Sequence, residues 1–341
     1  MNLDKYNYEL NEDRIAINPP EVRGSTRLLK LSKQTGDITD DLYANINNYL
    51  SSGDLLIFND TKVIKARLIT KTDEGRLREL LILEKHSGNF DEHRFKVMFR
   101  RKIRPGQTLY IGDKQLEVVG VYNDGTADIK SSDNLYDLAD NYGSVPLPPY
   151  MHRDADENDV LRYQTVFAKD KGSVAAPTAS LNITDELLGR LKAKGVKITS
   201  LTLHVGLGTF MPIRVDDLKD HKMHKEYFLI PSPTVDLINE TKASGKKVIA
   251  AGTTVTRALE YSADKIMSNG NDIAGEADIF IYPGYDFKIV DGLITNFHAP
   301  KSTVLMMAAA FAGWDNLYNA YEHASNNGYK FLSYGDSMLI I

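Results

Sequence analysis

The chain has 341 residues, 42% of them hydrophobic and 26% charged, with a formal net charge of −5. That length accommodates one large domain or two, and the balance is that of a soluble globular chain, which excludes wholesale disorder. There is no cysteine, so disulfides, thiolate zinc sites, cysteine nucleophiles and Cys-ligated iron–sulfur clusters with their radical chemistry are excluded. The negative charge gives no whole-molecule attraction to nucleic acid, so any such partner must be met by a local basic patch. An apolar run of about 18 residues is missing. The start, Met1-Asn-Leu-Asp-Lys-Tyr6, lacks a basic segment followed by an apolar one, so no membrane anchor and a cytoplasmic location are expected.

In chain order, residues 1–30 form a Pro/Gly-bounded arm leading to a short strand, with Arg23 and Arg27 four apart. Leu55 to Phe58 reads as an apolar strand after the turn Ser52-Gly53-Asp54. It ends at Asn59-Asp60-Thr61, a polar rim of the kind α/β enzymes place against ligands. From Lys65 to about Val145 short alternating runs (66–70, 79–83, 94–99, 108–111, 116–122, 127–129) recur between Gly, Asn and Asp turns. This predicts a small antiparallel β-barrel inserted at 65–145 into a main domain of 1–64 plus 146–341. Within it Arg94, Lys96, Arg100, Arg101, Lys102 and Arg104 crowd eleven residues. They make either a solvated hairpin face or a phosphate-backbone contact.

The segment Gly143-Ser-Val-Pro-Leu-Pro-Pro-Tyr150 is stiff and extended because its prolines fix φ. Small residues at 172–184 permit close approach of a planar ligand, and Thr184 is placed to N-cap a helix running to Lys194. Strands are then expected at 196–205, 247–251, 278–282 and 288–294, with helices at 255–267 and 303–312. Together they predict an α/β class, with a barrel-like main domain whose strands carry polar residues at one end.

Several motifs sit at those ends. Gly206-Leu-Gly208 lacks a third glycine and a following helix, so it is not a dinucleotide fingerprint. Gly252-Thr253-Thr254 opens a helix and suits an anion, though without the lysine of a P-loop. His221 and His224 are three apart but lack the context of a zinc site, and no metal is expected. His204 and His298 both end strands, and either is a candidate general base. The corner from Asn296 to Thr303 leads into a helix N-terminus with Lys301 beside it. It is either an anion site or a simple cap on Ser302.

Taken in order, Phe58-Asn-Asp-Thr-Lys-Val-Ile64, Val145-Pro-Leu-Pro-Pro-Tyr150, Arg162-Tyr-Gln-Thr-Val166, Val174-Ala-Ala-Pro-Thr-Ala179, Thr202-Leu-His-Val-Gly-Leu-Gly-Thr-Phe210, Met223-His224, Gly252-Thr-Thr254, Ile281-Tyr-Pro-Gly-Tyr285, Leu293-Ile-Thr-Asn-Phe-His298, Pro300-Lys-Ser-Thr303 and Ser333-Tyr-Gly-Asp336 resemble the S-adenosylmethionine:tRNA ribosyltransferase-isomerases of queuosine biosynthesis. The resemblance runs from about residue 6 to the C-terminus. It implies an α/β barrel-like domain with an inserted β-barrel. It also implies transfer of the ribosyl part of S-adenosylmethionine to 7-aminomethyl-7-deazaguanine at the tRNA wobble position, with isomerisation to epoxyqueuosine and release of adenine and methionine. S-adenosylmethionine is then a substrate, no separate cofactor is called for, tRNA is the partner, and a monomer is expected.

On that reading His204, His298, Asp60 and Glu226 are the catalytic candidates. Arg23, Arg27, Asn59, Thr178, Ser180, Asn182, Thr209, His224, Thr253, Arg257, Asn296, Lys301, Ser302, Thr303 and Asp336 are candidates for binding substrate. Lys301 would hold an anionic group, and the basic run 94–104 would meet tRNA phosphates. Departures from the family pattern fall at Ile17, Lys62, Ser180, Asn182, Ile183, Val255-Thr256 and Ala299. They open the alternative of a divergent paralogue that binds RNA or an adenosyl ligand without ribosyl transfer.

Overall fold

A computed structural model describes residues 3–83, 91–206, 208, 213, 215, 217–268 and 270–341. The chain begins with β1 (Arg27–Leu31), β2 (Ile38–Leu42), β3 (Leu55–Asn59) and β4 (Thr61–Val63). It then enters β5 (Arg67–Lys71), β6 (Leu77–Ile82), β7 (Arg94–Arg100), β8 (Thr108–Ile111), β9 (Lys114–Val121) and β10 (Thr126–Ser131). Helix α1 (Leu135–Tyr142) and β11 (Gly143–Ser144) lead back out to α2 (Glu157–Arg162), β12 (Asp170–Ser173), α3 (Asp185–Ala193), β13 (Lys197–Leu203) and β14 (Glu226–Ile230). The last third comprises α4 (Ser232–Ala243), β15 (Val248–Ala251), α5 (Thr253–Tyr261), α6 (Ala263–Ser268), β16 (Ile273–Ala277), β17 (Gly292–Asn296), α7 (Thr303–Ala312), α8 (Trp314–Asn326) and β18 (Ser337–Ile340).

The main sheet has nine strands in the order β16-β14-β13-β3-β15-β17-β18-β1-β2. Its centre, β13-β3-β15-β17, is parallel throughout. β3, β15 and β17 are buried along their whole lengths, which is why they read as continuous apolar runs without alternation. The two-residue period divides each between two layers. Leu55, Ile57, Val248, Ala250 and Leu293 pack with α4, α5, α7 and α8, while Leu56, Phe58, Ile249, Ala251 and Ile294 pack with α3 and the turn around Tyr43 and Ile46.

The second sheet closes on itself. The strands run β5-β6-β7-β10-β9-β8, and a β8–β5 contact through Tyr110 and Lys71 completes a six-stranded antiparallel barrel. Alternate residues of each strand fill its interior, among them Leu68, Leu80, Phe95, Val97, Leu109, Leu116 and Ile129. The α/β main fold with an antiparallel barrel inserted in it is therefore the architecture observed. The barrel's apolar cluster takes in Ile64 and Val174 from the flanking chain, and β4 pairs with β12 beside it.

Several expected elements are displaced, each for a local reason. No strand covers 278–282; β16 lies five residues earlier and ends at Ala277, whose carbonyl is taken by the Arg257 guanidinium at 2.9 Å. β17 starts at Gly292, not at Lys288, because the N–H groups of Lys288, Ile289 and Val290 donate to the buried Glu260 carboxylate at 2.9–3.0 Å. The helix expected at 255–267 starts at Thr253 and divides at Ser262 into α5 and α6. The Thr184 cap, with its hydroxyl accepting from Leu187 N at 3.1 Å, and helix α7 with its C-terminal Gly313 are found where expected.

Candidate functional site

The four parallel strands finish side by side at Leu203, Asn59, Ala251 and Asn296, the edge at which open α/β sheets bind ligands. A cavity of about 400 Å³ lies there, within the range of small-molecule sites. Its floor is Val205, Gly252, Thr253, Thr254, Thr295 and Asn296 from the strand ends and the first turn of α5. Ala176, Pro177, Thr178 and Ala179 form one wall, and His298, Ala299, Pro300, Ser302 and Val304 at the start of α7 form another. The N-terminal arm (Leu10, Ile15), Pro149, Tyr150, Leu332 and Ser333 close the remainder. None of the described lining residues carries a formal charge.

Of the four residues expected to be catalytic, the lining includes His298 alone. Its Nε2 lies 2.7 Å from Thr295 Oγ1, its N–H donates to Tyr321 Oη at 2.9 Å, and its carbonyl accepts from the Tyr8 hydroxyl. Desolvation brings its pKa down to about 3, so the ring is neutral at physiological pH. His204 is buried outside the lining. Its Nδ1 is 2.8 Å from Thr61 Oγ1, its ring stacks on Tyr227, and Gly172 (φ +150°) makes room where a Cβ would come within 2.8 Å. Asp60 accepts from Ser200 Oγ at 2.8 Å and Thr202 Oγ1 at 2.7 Å. Glu226 accepts from Arg257 Nη1 at 2.5 Å and from Gly206 N at 2.9 Å. These three carboxylate and imidazole side chains brace the strand ends instead of facing the cavity.

Among the expected substrate ligands, Thr178, Thr253, Asn296 and Ser302 line the cavity, with Thr178 Oγ1 donating to Asn296 Oδ1 at 2.8 Å. Thr303 and Arg257 line a smaller crevice that also contains Thr253, Thr254 and Val304. The others are elsewhere. Arg23 donates to the carbonyls of Gln164, Leu181 and Leu161. Arg27 lies 3.7 Å over the Tyr329 ring and donates to Asn327 O. Asn59 clamps Leu203 and Thr61 through backbone bonds. Asp336 accepts from the N–H groups of Arg27 and Lys330 at 2.7 Å each; desolvation raises its pKa.

Lys301, expected to hold an anion, pairs with Asp4 at 2.7 Å outside the lining, and Ser302 is a true cap whose hydroxyl accepts from Leu305 N. His224 is exposed, and Thr209 lies outside the described residues. Ser180 and Asn182 are buried behind the wall formed by Thr178 and Ala179; the Ser180 hydroxyl has no partner among the described residues. The departures at these two positions thus fall behind the cavity wall. Sequence reasoning missed Leu10, Ile15, Tyr150, Thr295 and Ser333. Tyr150 and Ser333 stand inside quoted motifs and hydrogen-bond each other, while Leu10 and Ile15 carried no signal beyond being apolar.

On the barrel, Arg94, Lys96 and Arg100 alternate along the exposed face of β7, followed by exposed Arg101, Lys102 and Arg104. Arg94 meets Asp128 at 3.1 Å and Arg100 meets Glu79 at 3.7 Å, so acidic neighbours partly offset the patch. Among the described residues no group of three or more His, Asp or Glu is placed to hold a metal, and no helix is long and apolar enough to cross a membrane.

The sequence model of a family described as "Queuosine biosynthesis protein" matches residues 3–340. The chain belongs to that family. It is 51% identical, over the full length of both chains, to an S-adenosylmethionine:tRNA ribosyltransferase-isomerase of Pelodictyon phaeoclathratiforme. It is 46% identical, again over both full lengths, to the protein of that name from Halothermothrix orenii. Among solved structures, the S-adenosylmethionine tRNA ribosyltransferase of Thermotoga maritima is similar with a TM-score of 0.57 and 34% identity, covering 99% of this chain and 100% of that one.

The low basicity of His298 has a measurable sign. The unfolded chain takes up a proton at an ordinary imidazole pKa and the folded ring does not, so this residue subtracts stability progressively as pH falls from about 6.5 toward 3. Nitrogen chemical shifts of the His298 ring are expected to stay those of neutral imidazole down to about pH 4. A titration midpoint near 6.5 in the folded protein would contradict this environment.

Proposed function

We propose that this chain is an S-adenosylmethionine:tRNA ribosyltransferase-isomerase acting in queuosine biosynthesis, as its full-length relatives are named. The observation that carries the reading is the cavity itself. It lies at the carboxyl ends of β3, β13, β15 and β17, has room for an adenosyl group, and is walled by the segments 174–179, 252–254 and 293–303 that carry the family resemblance. The proposed reaction moves the ribosyl part of S-adenosylmethionine onto 7-aminomethyl-7-deazaguanine at the tRNA wobble position, giving epoxyqueuosine and releasing adenine and methionine. It is assigned to the cytoplasm, where tRNA is modified, and to a monomer. Residues 65–145 form the inserted unit, and 1–64 with 146–341 form the catalytic one.

Within the cavity, the largely apolar wall from Ala176 to Ala179 suits the face of a purine, and Asn296 and Thr178 offer polar edges to it. The sulfonium acidifies the neighbouring ribose 5′ hydrogens, and their removal needs a base. We assign that proton to His298, which alone among the expected bases lines the cavity. Asp60, His204 and Glu226 are positioning residues that fix the strand ends. The β7 patch from Arg94 to Arg104 takes tRNA backbone phosphates, which position the substrate without reading sequence.

Incubation with ribose-labelled S-adenosylmethionine and tRNA bearing the deazaguanine precursor is expected to release adenine and leave label on the tRNA. A folded protein that does neither overturns the reading. His298→Gln is expected to lower kcat by roughly 10²–10⁴-fold while leaving S-adenosylmethionine binding nearly unchanged. Replacing Arg100 and Arg101 by Ala is expected to reduce the slope of log affinity for tRNA against log salt by about one or two. An unchanged slope removes the patch from the interface.

A further inference from the structure

Two helices begin at the cavity, from neighbouring parallel strands. Helix α5 follows β15 and α7 follows β17. The first intrahelical bond of α5 runs from Thr256 N to Gly252 O, and no side chain caps this end. The N–H groups of Thr253, Thr254 and Val255 therefore precede any intrahelical acceptor. In α7 the Ser302 hydroxyl satisfies Leu305 N, which leaves the N–H groups of Thr303 and Val304 in the same condition. Both positive dipole ends meet a cavity whose described lining has no charged side chain to compete with them.

Beside the two first turns a crevice of about 10 Å³ opens, lined by Thr253, Thr254 and Arg257 of α5 and by Thr303, Val304 and Met307 of α7, and closed by the apolar side chains of Met223 and residues 279–281. It has room for one water-sized group. Arg257 is only 7% exposed. Its Nη1 serves Glu226 and its Nη2 the carbonyls of His224 and Ala277, yet Nε, equally buried, has no partner among the described residues. A guanidinium N–H left unmade at such burial is costly and marks a place for an acceptor. Since Glu226 already balances the charge, what remains is a buried donor, without a partner among the described residues, on a side chain that lines the crevice.

We infer that the starts of α5 and α7, together with Arg257 Nε, are the seat of the α-carboxylate of the methionine moiety. One oxygen enters the crevice against Nε–H, and the other remains at the first-turn N–H groups. This inference rests on the reading that the cavity takes S-adenosylmethionine. It moves the anionic contact from Lys301, which is spent on Asp4, to the opposite side of Ser302. The adenosyl part then extends toward Thr178 and Asn296.

The test compares binding of S-adenosylmethionine with that of its decarboxylated analogue, S-adenosylmethioninamine, by calorimetry on the intact protein. The wild type is expected to favour S-adenosylmethionine by about ten- to a hundredfold, the worth of charge-assisted hydrogen bonds. Arg257→Lys keeps a cation for Glu226 but removes Nε, and should shrink that ratio about tenfold through the carboxylate ligand alone. Thr253→Asp, which a helix first turn tolerates, should weaken S-adenosylmethionine and spare the analogue, and it decides the matter if the first variant does not fold. Equal affinities in the wild type, or an undiminished ratio in the folded variants, overturn the inference while leaving the cavity reading intact. Failure of both ligands to bind the wild type overturns the cavity reading and the inference with it.

Discussion

The buried pair between Glu226 and Arg257 holds the site together. Its guanidinium reaches the Glu226 carboxylate at the start of β14, the carbonyl of His224 before it and the carbonyl of Ala277 at the end of β16, while Glu226 in turn receives Gly206 N beyond β13. Three segments distant in sequence, at 206, 224–226 and 277, are thereby fixed to one turn of α5. Removing either partner would leave a buried charge uncompensated, at about 3–5 kcal/mol. That is a large part of the stability of an ordinary domain. Arg257 is one turn from Thr253 and Thr254, so the same pair fixes where the uncapped end of α5 points.

Around this brace the cavity draws its polarity from backbone. Helix starts, threonine hydroxyls and Asn296 surround it, and among the described residues the charged side chains stand one layer back. Such a site suits a ligand that brings its own charges. Fixed dipoles favour a carboxylate at one end, an apolar wall suits an aromatic ring at the other, and a neutral imidazole between them does not repel a sulfonium. The N-terminal arm completes the enclosure through Leu10 and Ile15. It is held down by Tyr8 on the His298 carbonyl and by the Asp4–Lys301 pair.

Much of this was legible in the sequence because periodicity and turn chemistry are local. The barrel strands, β3, β15, α7 and the caps at Thr184 and Ser302 follow from alternation, buried apolar runs and capping residues. Elements set by tertiary contacts were not legible. Lys288 to Val290 looks like a strand by composition, but the Glu260 carboxylate takes its N–H groups. The same holds at the site. Threonines and Asn296 at strand ends were found by position, whereas Asp60, His204, Glu226 and Lys301, chosen for their chemistry, proved to be engaged with other protein groups. Residue type shows what a side chain can do; its partners in the fold decide whether it is free to do it.

The most direct measurement is the structure of the protein with S-adenosylmethionine bound. Adenosyl density is expected between residues 176–179 and Asn296, with the carboxylate at the first turn of α5 beside Arg257. Ligand bound elsewhere on the molecule, or reversed so that adenine occupies the helix starts, would contradict it.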